Sequence, residues 1–439
     1  MVATRHILRI LPTILLTLWL GCSISLPGQT RDENRSRCKS KDPEQVIEGC
    51  SALIRSRQEK GADLANTFLR RGSAFARKGD YDHAIQDYNQ ALRLNPTLAK
   101  AFYGRGWIYV HNANYGNAIQ DFDQALHLDP TLADALRERG NAYTYEGDYD
   151  RAIQDYDQAL RLNSSDAITF YNRGLAYAHQ GDYDRAIQDY DQALGLNPTF
   201  ADAFYGRGLA YAHKGDYGHA IHDYDQALQL NPNSAAVFYW RGRAYEHTGD
   251  YDHALSDYNQ ALRLNPASAD ALVMRGLAYT RTGNYDGAIQ DFDQALRLKP
   301  NSAAAFYDRA RAYAYKQNYD RAIQDYDDAL QLTPNDADAY YGRGLAYAQT
   351  GHPESAIQDY DQAIRFNGNL TNAYLNRSLA YAGKGHYLRA IADRGHFLWL
   401  KFGIWGISIR LCILVLVVVI ALGFNLKRFR KRPIIPNPN

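Results

Sequence analysis

The chain has 439 residues, with 49 Lys plus Arg set against 48 Asp plus Glu, 35 tyrosines and four cysteines. So even a charge balance gives no general electrostatic pull and predicts no nucleic-acid partner. The length would hold several ordinary domains, but a fixed period runs through it, and repeats share one extended core.

Residues 1–25 come first in chain order. Arg5 and Arg9 make a basic start, Ile10 to Leu20 is an apolar stretch of eleven, and Ser23 and Ser25 stand at −3 and −1 of a cleavage site. The pattern predicts a secretory signal peptide, with an uncleaved anchor as the alternative. Leu20-Gly21-Cys22 resembles a lipoprotein box, although Trp19 stands where that motif usually has Leu. Residues 26–64 are read as a linker and an N-terminal capping helix, with Asp42 as its N-cap and Pro43 in its first turn. Cys38 and Cys50 are the only cysteines between the targeting segment and the C-terminal apolar run. In an exported chain they predict a disulfide, contributing on the order of 3 kcal/mol in the chain-entropy model. A metal site would need more ligands than these two thiols.

The phrase "GDYDRAIQDYDQAL" at 147–160 returns unchanged at 181–194, and close variants stand at 79–92, 215–228, 249–262, 283–296 and 317–330. Within 167–200, Phe170, Gly174 and Tyr177 mark one helix face. Gly181 supplies a helix stop and Asp182 the next N-cap. Tyr183, Ala186, Ile187, Tyr190, Ala193 and Leu194 mark a second helix, which Asn197-Pro198 ends. Two such helices cannot bury their faces alone, but stacked neighbours can.

This 34-residue unit closely resembles the tetratricopeptide repeat, whose signature is carried here by Phe170, Gly174, Tyr177, Ala186, Tyr190, Ala193 and Pro198. The resemblance covers 65–398 as nine full units and a tenth whose second helix degrades at Arg394 and Phe397. It implies an all-α fold, a right-handed superhelical solenoid of antiparallel helices A and B, with the last helix B leaving the stack. Departures are mild: Ser164 and Gly368 replace Pro, and Ala310 and Gln317 replace Gly.

Beyond the repeats, 402–426 is apolar except for Arg410 and Asn425, and 427–439 carries five cations within its first six residues. These features predict a C-terminal transmembrane helix and a basic cytoplasmic tail. The expected placement is a single pass through a bacterial inner membrane, with the solenoid in the periplasm. A buried C-terminal helix is the plainer alternative.

Position 7 of the unit is Arg and position 23 is Asp in all ten copies, including Arg173 with Asp189 and Arg207 with Asp223. The recurrence predicts a structural ladder of ion pairs, and its alternative is a row of arginines gripping an acidic ligand. A second stripe lies on helix A: Tyr103, Tyr171, Tyr205, Tyr239, Tyr307 and Tyr341 at position 5, with Trp107 at position 9. The resemblance implies that this face lines a concave partner-binding groove; the alternative is that the rings only pack helix on helix. His219 and His222 lack a third ligand for a metal. No nucleophile elbow, phosphate loop, HExxH or CxxC is present, so no catalytic residues, metal or cofactor are expected. The expected function is a membrane-anchored scaffold for proteins or peptides, with a glycan-associated envelope role as the alternative. The sequence gives no oligomeric state.

Overall fold

The structure, a computed structural model, describes residues 30–402, so the expected signal peptide lies outside the described residues. Every described element is a helix, 22 in all. The chain divides after Asn197 into two compact units, holding repeats 1–4 and 5–10, where repeat 1 starts at Ala65 and each further repeat 34 residues on.

Repeat 5 shows why the phrase folds as it does. Its helix A is Ala201–His213 and its helix B is Tyr217–Leu230. Gly215 between them sits at φ 80°, a left-handed conformation that costs Gly nothing. Asp216 then caps helix B, its carboxylate accepting from the His219 backbone N–H. The apolar stripe of helix B buries Ala220, Tyr224, Ala227 and Leu228 against Val237 and Ala244 of the next helix A. The position-24 ring is the centre of each repeat: Tyr88, Phe122, Tyr156, Tyr190, Tyr224, Tyr258, Phe292, Tyr326 and Tyr360 are all buried. Gly208 exists to admit it, since a Cβ there would lie 2.7 Å from the Tyr224 ring. Repeats 2 and 8 lack the turn glycine, so Ala113 (φ 54°) and Gln317 (φ 63°) take the left-handed conformation at a cost.

Two helices precede repeat 1. Helix α1 (Arg31–Cys38) lies within the expected linker, and α2 (Pro43–Ser56) is the expected capping helix, with Asp42 accepting from Glu44 N–H. A disulfide joins Cys38 to Cys50 with the Cα atoms 4.8 Å apart. Both sulfurs belong to a core of Val46, Leu53 and Ala74. Counted from the N-cap of its helix, with Asp42 matching Asp80 at position 16, Cys50 occupies position 24, the place of the buried ring. So α1 and α2 form a shortened repeat in which a covalent bond stands where an aromatic ring packs elsewhere.

Three expectations at the C-terminal end are corrected. Helix B of repeat 10, Tyr387–Phe402, packs on its own helix A as its predecessors do. Ala390 and Asp393 stay buried there, while Arg394, in the ring position, is exposed. The C-terminal transmembrane helix is not supported: among the described residues no helix is long and apolar enough to cross a membrane. The last described helix has 16 residues and carries Arg389, Asp393, Arg394 and Lys401, whereas a span needs about 20 mostly apolar residues. Of the expected 402–426 only Phe402 is described, and the tail 427–439 lies outside. The single-pass inner-membrane location and the membrane as a partner rested on that helix and fall with it.

Candidate functional site

Within each unit, successive A helices touch one another, while among the described residues successive B helices do not. The A side is therefore the inside of the local curve, and positions 2, 5, 9 and 12 of helix A face into it. In the first unit this face carries Tyr103 and Trp107 from repeat 2 and Tyr171 and Leu175 from repeat 4. In the second it carries Tyr205, Tyr239, Tyr307 and Tyr341, with Val273 in repeat 7.

Each position-5 tyrosine leans on the position-24 ring of its own repeat. Tyr205 and Tyr224 have centroids 6.2 Å apart, and Tyr171 and Tyr190 5.9 Å apart. All six tyrosines of the stripe are half-buried except Tyr341, which is buried. Their rings therefore both brace the repeat and show an edge to the groove. Burial pushes the Tyr103, Tyr307 and Tyr341 hydroxyls up to about 12. They stay protonated donors at any physiological pH. Trp107 is held among rings, 3.7 Å from His111 and 6.2 Å from Tyr81 by centroid.

The position-7 arginines do not reach into the groove. In all ten repeats Arg Nε and one terminal nitrogen donate to both oxygens of the position-23 Asp. Arg173 meets Asp189 at 2.7 and 2.6 Å, and Arg207 meets Asp223 at 2.7 Å twice. The third nitrogen crosses to position 25 of the preceding repeat: Arg173 to Asp157, Arg241 to Asp225, Arg309 to Asp293 and Arg377 to Asp361. Repeat 1 has no preceding repeat, and Arg71 instead donates to Ser51 of α2, the residue at position 25 of the shortened repeat. The arginine thus ties helix A to helix B and, through its third nitrogen, one repeat to the last. Burial pushes the Asp189 carboxyl up, and the bidentate hydrogen bond to Arg173 only partly offsets this. Such a pair fixes geometry more than it adds net stability.

One pattern is visible only with the structure. Position 6 lies over the hydroxyl of the preceding repeat's position-24 tyrosine: a Cβ on Gly104 would be 2.7 Å from the Tyr88 hydroxyl, and on Gly342 2.6 Å from that of Tyr326. Phe stands at position 24 in repeats 2 and 7, and only the repeats that follow place an acid at position 6, Glu138 and Asp308. An acid therefore stands at the position that elsewhere faces a core hydroxyl. Glu138 is held by Arg137 at 3.2 Å and by Asn141 at 3.1 Å. Asp308 has Arg311 at 3.5 Å, and its burial pushes the carboxyl up to about 6. With Glu246, Leu277, Thr280 and Arg281, these two residues line a small cleft in the groove wall.

The histidines serve the turns. His219 and Asp216 are 2.8 Å apart, His222 lies 3.5 Å from Asp223, and among the described residues no group of ligands could hold a metal. Among the described residues no constellation of nucleophile, base and oxyanion donors accompanies them.

No curated protein matches the chain. Solved structures similar to it include YrrB, described as a TPR protein with an unusual peptide-binding site (29% identity over 42% of this chain and 95% of that one, TM-score 0.39). MamA is similar at 27% identity (38% of this chain, 96% of that one, TM-score 0.35), and pilF of Pseudomonas aeruginosa at 23% (49% and 96%, TM-score 0.44). Models described as tetratricopeptide repeat match residues 137–199 and 241–303, then 99–132, 201–234 and 337–370, then 223–255. One described as TPR repeat matches 72–112 and 310–351. Taken together these matches span more than half of the chain, which belongs to the tetratricopeptide repeat family.

Proposed function

We propose that the protein is a non-enzymatic scaffold that holds an extended protein or peptide segment along the helix A face. The observation that carries this reading is the double use of the position-5 tyrosines. Each braces its repeat yet leaves an edge in a groove floored by rings and walled by half-buried Leu209, Leu277 and Leu345. Tyr combines apolar area with a hydroxyl at low entropic cost, which suits adaptable recognition. Leu277→Lys tests it. Position 9 already carries Arg243 and Arg311 in the flanking repeats, so the fold accepts a cation there. Peptides selected from a random library on the full chain should bind this variant at least tenfold more weakly while its Tm stays within a few degrees. Unchanged binding would place the site off this face.

The Cys38–Cys50 bond supports function in an oxidising compartment. Freshly isolated protein should resist alkylation at both positions until a reductant is added; free thiols would argue for a reducing location.

A further inference from the structure

Repeats 5 to 9, all in the second unit, alternate along the groove. Position 9 reads Leu209, Arg243, Leu277, Arg311, Leu345, and position 2 reads Asp202, Ala236, Asp270, Ala304, Asp338. One wall therefore carries a cation in every second repeat, and the opposite wall an anion in the repeats between. Seven residues separate the two positions on one helix, so the walls stand about 10 Å apart with the position-5 rings between them. The core does not alternate: position 7 is Arg and position 23 is Asp throughout, and the helix B sequences show no such two-repeat period. A duplicated pair of repeats would have left its mark on helix B as well. The pattern is confined to the face that meets a partner.

The cations are set in the groove by rings. Arg243 lies over Trp240 at 5.2 Å and Arg311 over Tyr307 at 5.6 Å, and both side chains are half-buried. The anions lie on the open rim; Asp202, Asp270 and Asp338 are exposed. Asp270 meets Lys299 at 2.8 Å, but with both side chains more than half exposed that pair is readily exchanged.

We infer that the groove selects an extended partner segment whose charges alternate every three residues, acid, base, acid at i, i+3 and i+6. Neighbouring helices are spaced about 10 Å apart, the length of about three extended residues. An odd spacing also points successive charges of an extended strand to opposite sides. The acids would then face Arg243 and Arg311 on one wall while the base between them faces Asp270 on the other. This inference rests on the groove being the peptide site.

The test is an array of 12-residue peptides of one composition, two Glu, two Lys and apolar residues, with the charges placed at every spacing, beside a second set of wholly acidic peptides of the same length. The full chain should bind the three-residue alternation at least tenfold more tightly than block-charged isomers. The Arg243→Leu/Arg311→Leu variant should lose that preference while keeping its helical circular dichroism, since Leu stands at the same position in the adjacent repeats. Arg243→Glu/Arg311→Glu should abolish that preference, because the side chains facing the peptide would then all be acidic with Asp270. Binding that Leu277→Lys weakens but that ignores charge spacing would overturn the alternation and leave the groove reading standing. Tightest binding to wholly acidic peptides would overturn it in favour of simple anion capture. No binding to any peptide would overturn both.

Discussion

Repeats 3 and 8 answer the same local event in different ways. Each follows a repeat whose core ring is Phe, and each carries an acid at position 6, Glu138 or Asp308. In repeat 3 position 5 is Arg137, which reaches Glu138, Asp134 at 2.9 Å and Asp166 at 3.0 Å. Asn141 carries the network on, accepting from the Tyr156 hydroxyl and from Asn172, each at 2.8 Å. In repeat 8 position 5 is Tyr307, and the acid is left with one long contact to Arg311. A carboxylate in the same register is a strut in one place and an energetic cost in the other. The difference lies one helix turn or less away, in residues 5 and 9. Buried charge maintained at a cost is more common at sites of function than in plain architecture.

The largest test removes the strut. Arg137→Leu leaves Glu138 and Asp166, with 14% and 18% of their side chains exposed, without their shared cation. It should cost about 3–5 kcal/mol in chemical denaturation. Arg311→Leu removes a single 3.5 Å contact and should cost less than Arg137→Leu. Equal costs would erase the distinction between the two repeats.

Next in size is the pH dependence of repeat 8. The folded-state carboxyl of Asp308 is pushed up to about 6, above the unfolded value of about 3.9. Between those values Asp308 is more protonated in the native state than in the unfolded chain, so its own contribution to stability is fully present below about pH 4 and is lost as pH rises through about 6. Asp308→Asn should therefore stabilise the protein at pH 7.5, by at most about 3 kcal/mol, and flatten its stability between pH 4 and 6. A destabilised variant at pH 7.5 would mean that Asp308 is a fully paired strut like Glu138.

The smallest effect is a control in the same repeat. Gln317→Gly relieves a left-handed turn residue and should gain about 1 kcal/mol with no change in pH profile. A pH-dependent gain would show that the turn and the cleft are coupled.

Much of the fold is legible in the sequence because each repeat restates it. Helical spacing, the Gly-Asp turn and the Asn-Pro stop are local signals, and ten copies average out their exceptions. The shortened repeat at the front was harder to read. It stands four residues out of the 34-residue register and departs at the signature places, with Val46, Cys50 and Leu53 where repeats have Ala, an aromatic and Ala, so no residue type announces it. The transmembrane expectation came from an apolar run followed by a basic tail, and among the described residues the structure offers no helix to carry it. The tyrosine stripe is visible as a periodicity, whereas its half-burial depends on how the position-24 ring packs beneath it.

The sequence by itself determined where each helix starts and stops, which faces are apolar, and that Arg and Asp recur at one spacing. Those properties are local: they follow from capping, left-handed turns and 3.6-residue periodicity within one unit. The tertiary structure decided what lies across a helix boundary. It gave the third nitrogen of Arg173 to Asp157, put Ser51 under Arg71, and set position 6 over the preceding repeat's hydroxyl. It left Asp308 short of a partner where Glu138 has two. Such contacts are fixed by the packing of one repeat on the next, which no single repeat's sequence contains.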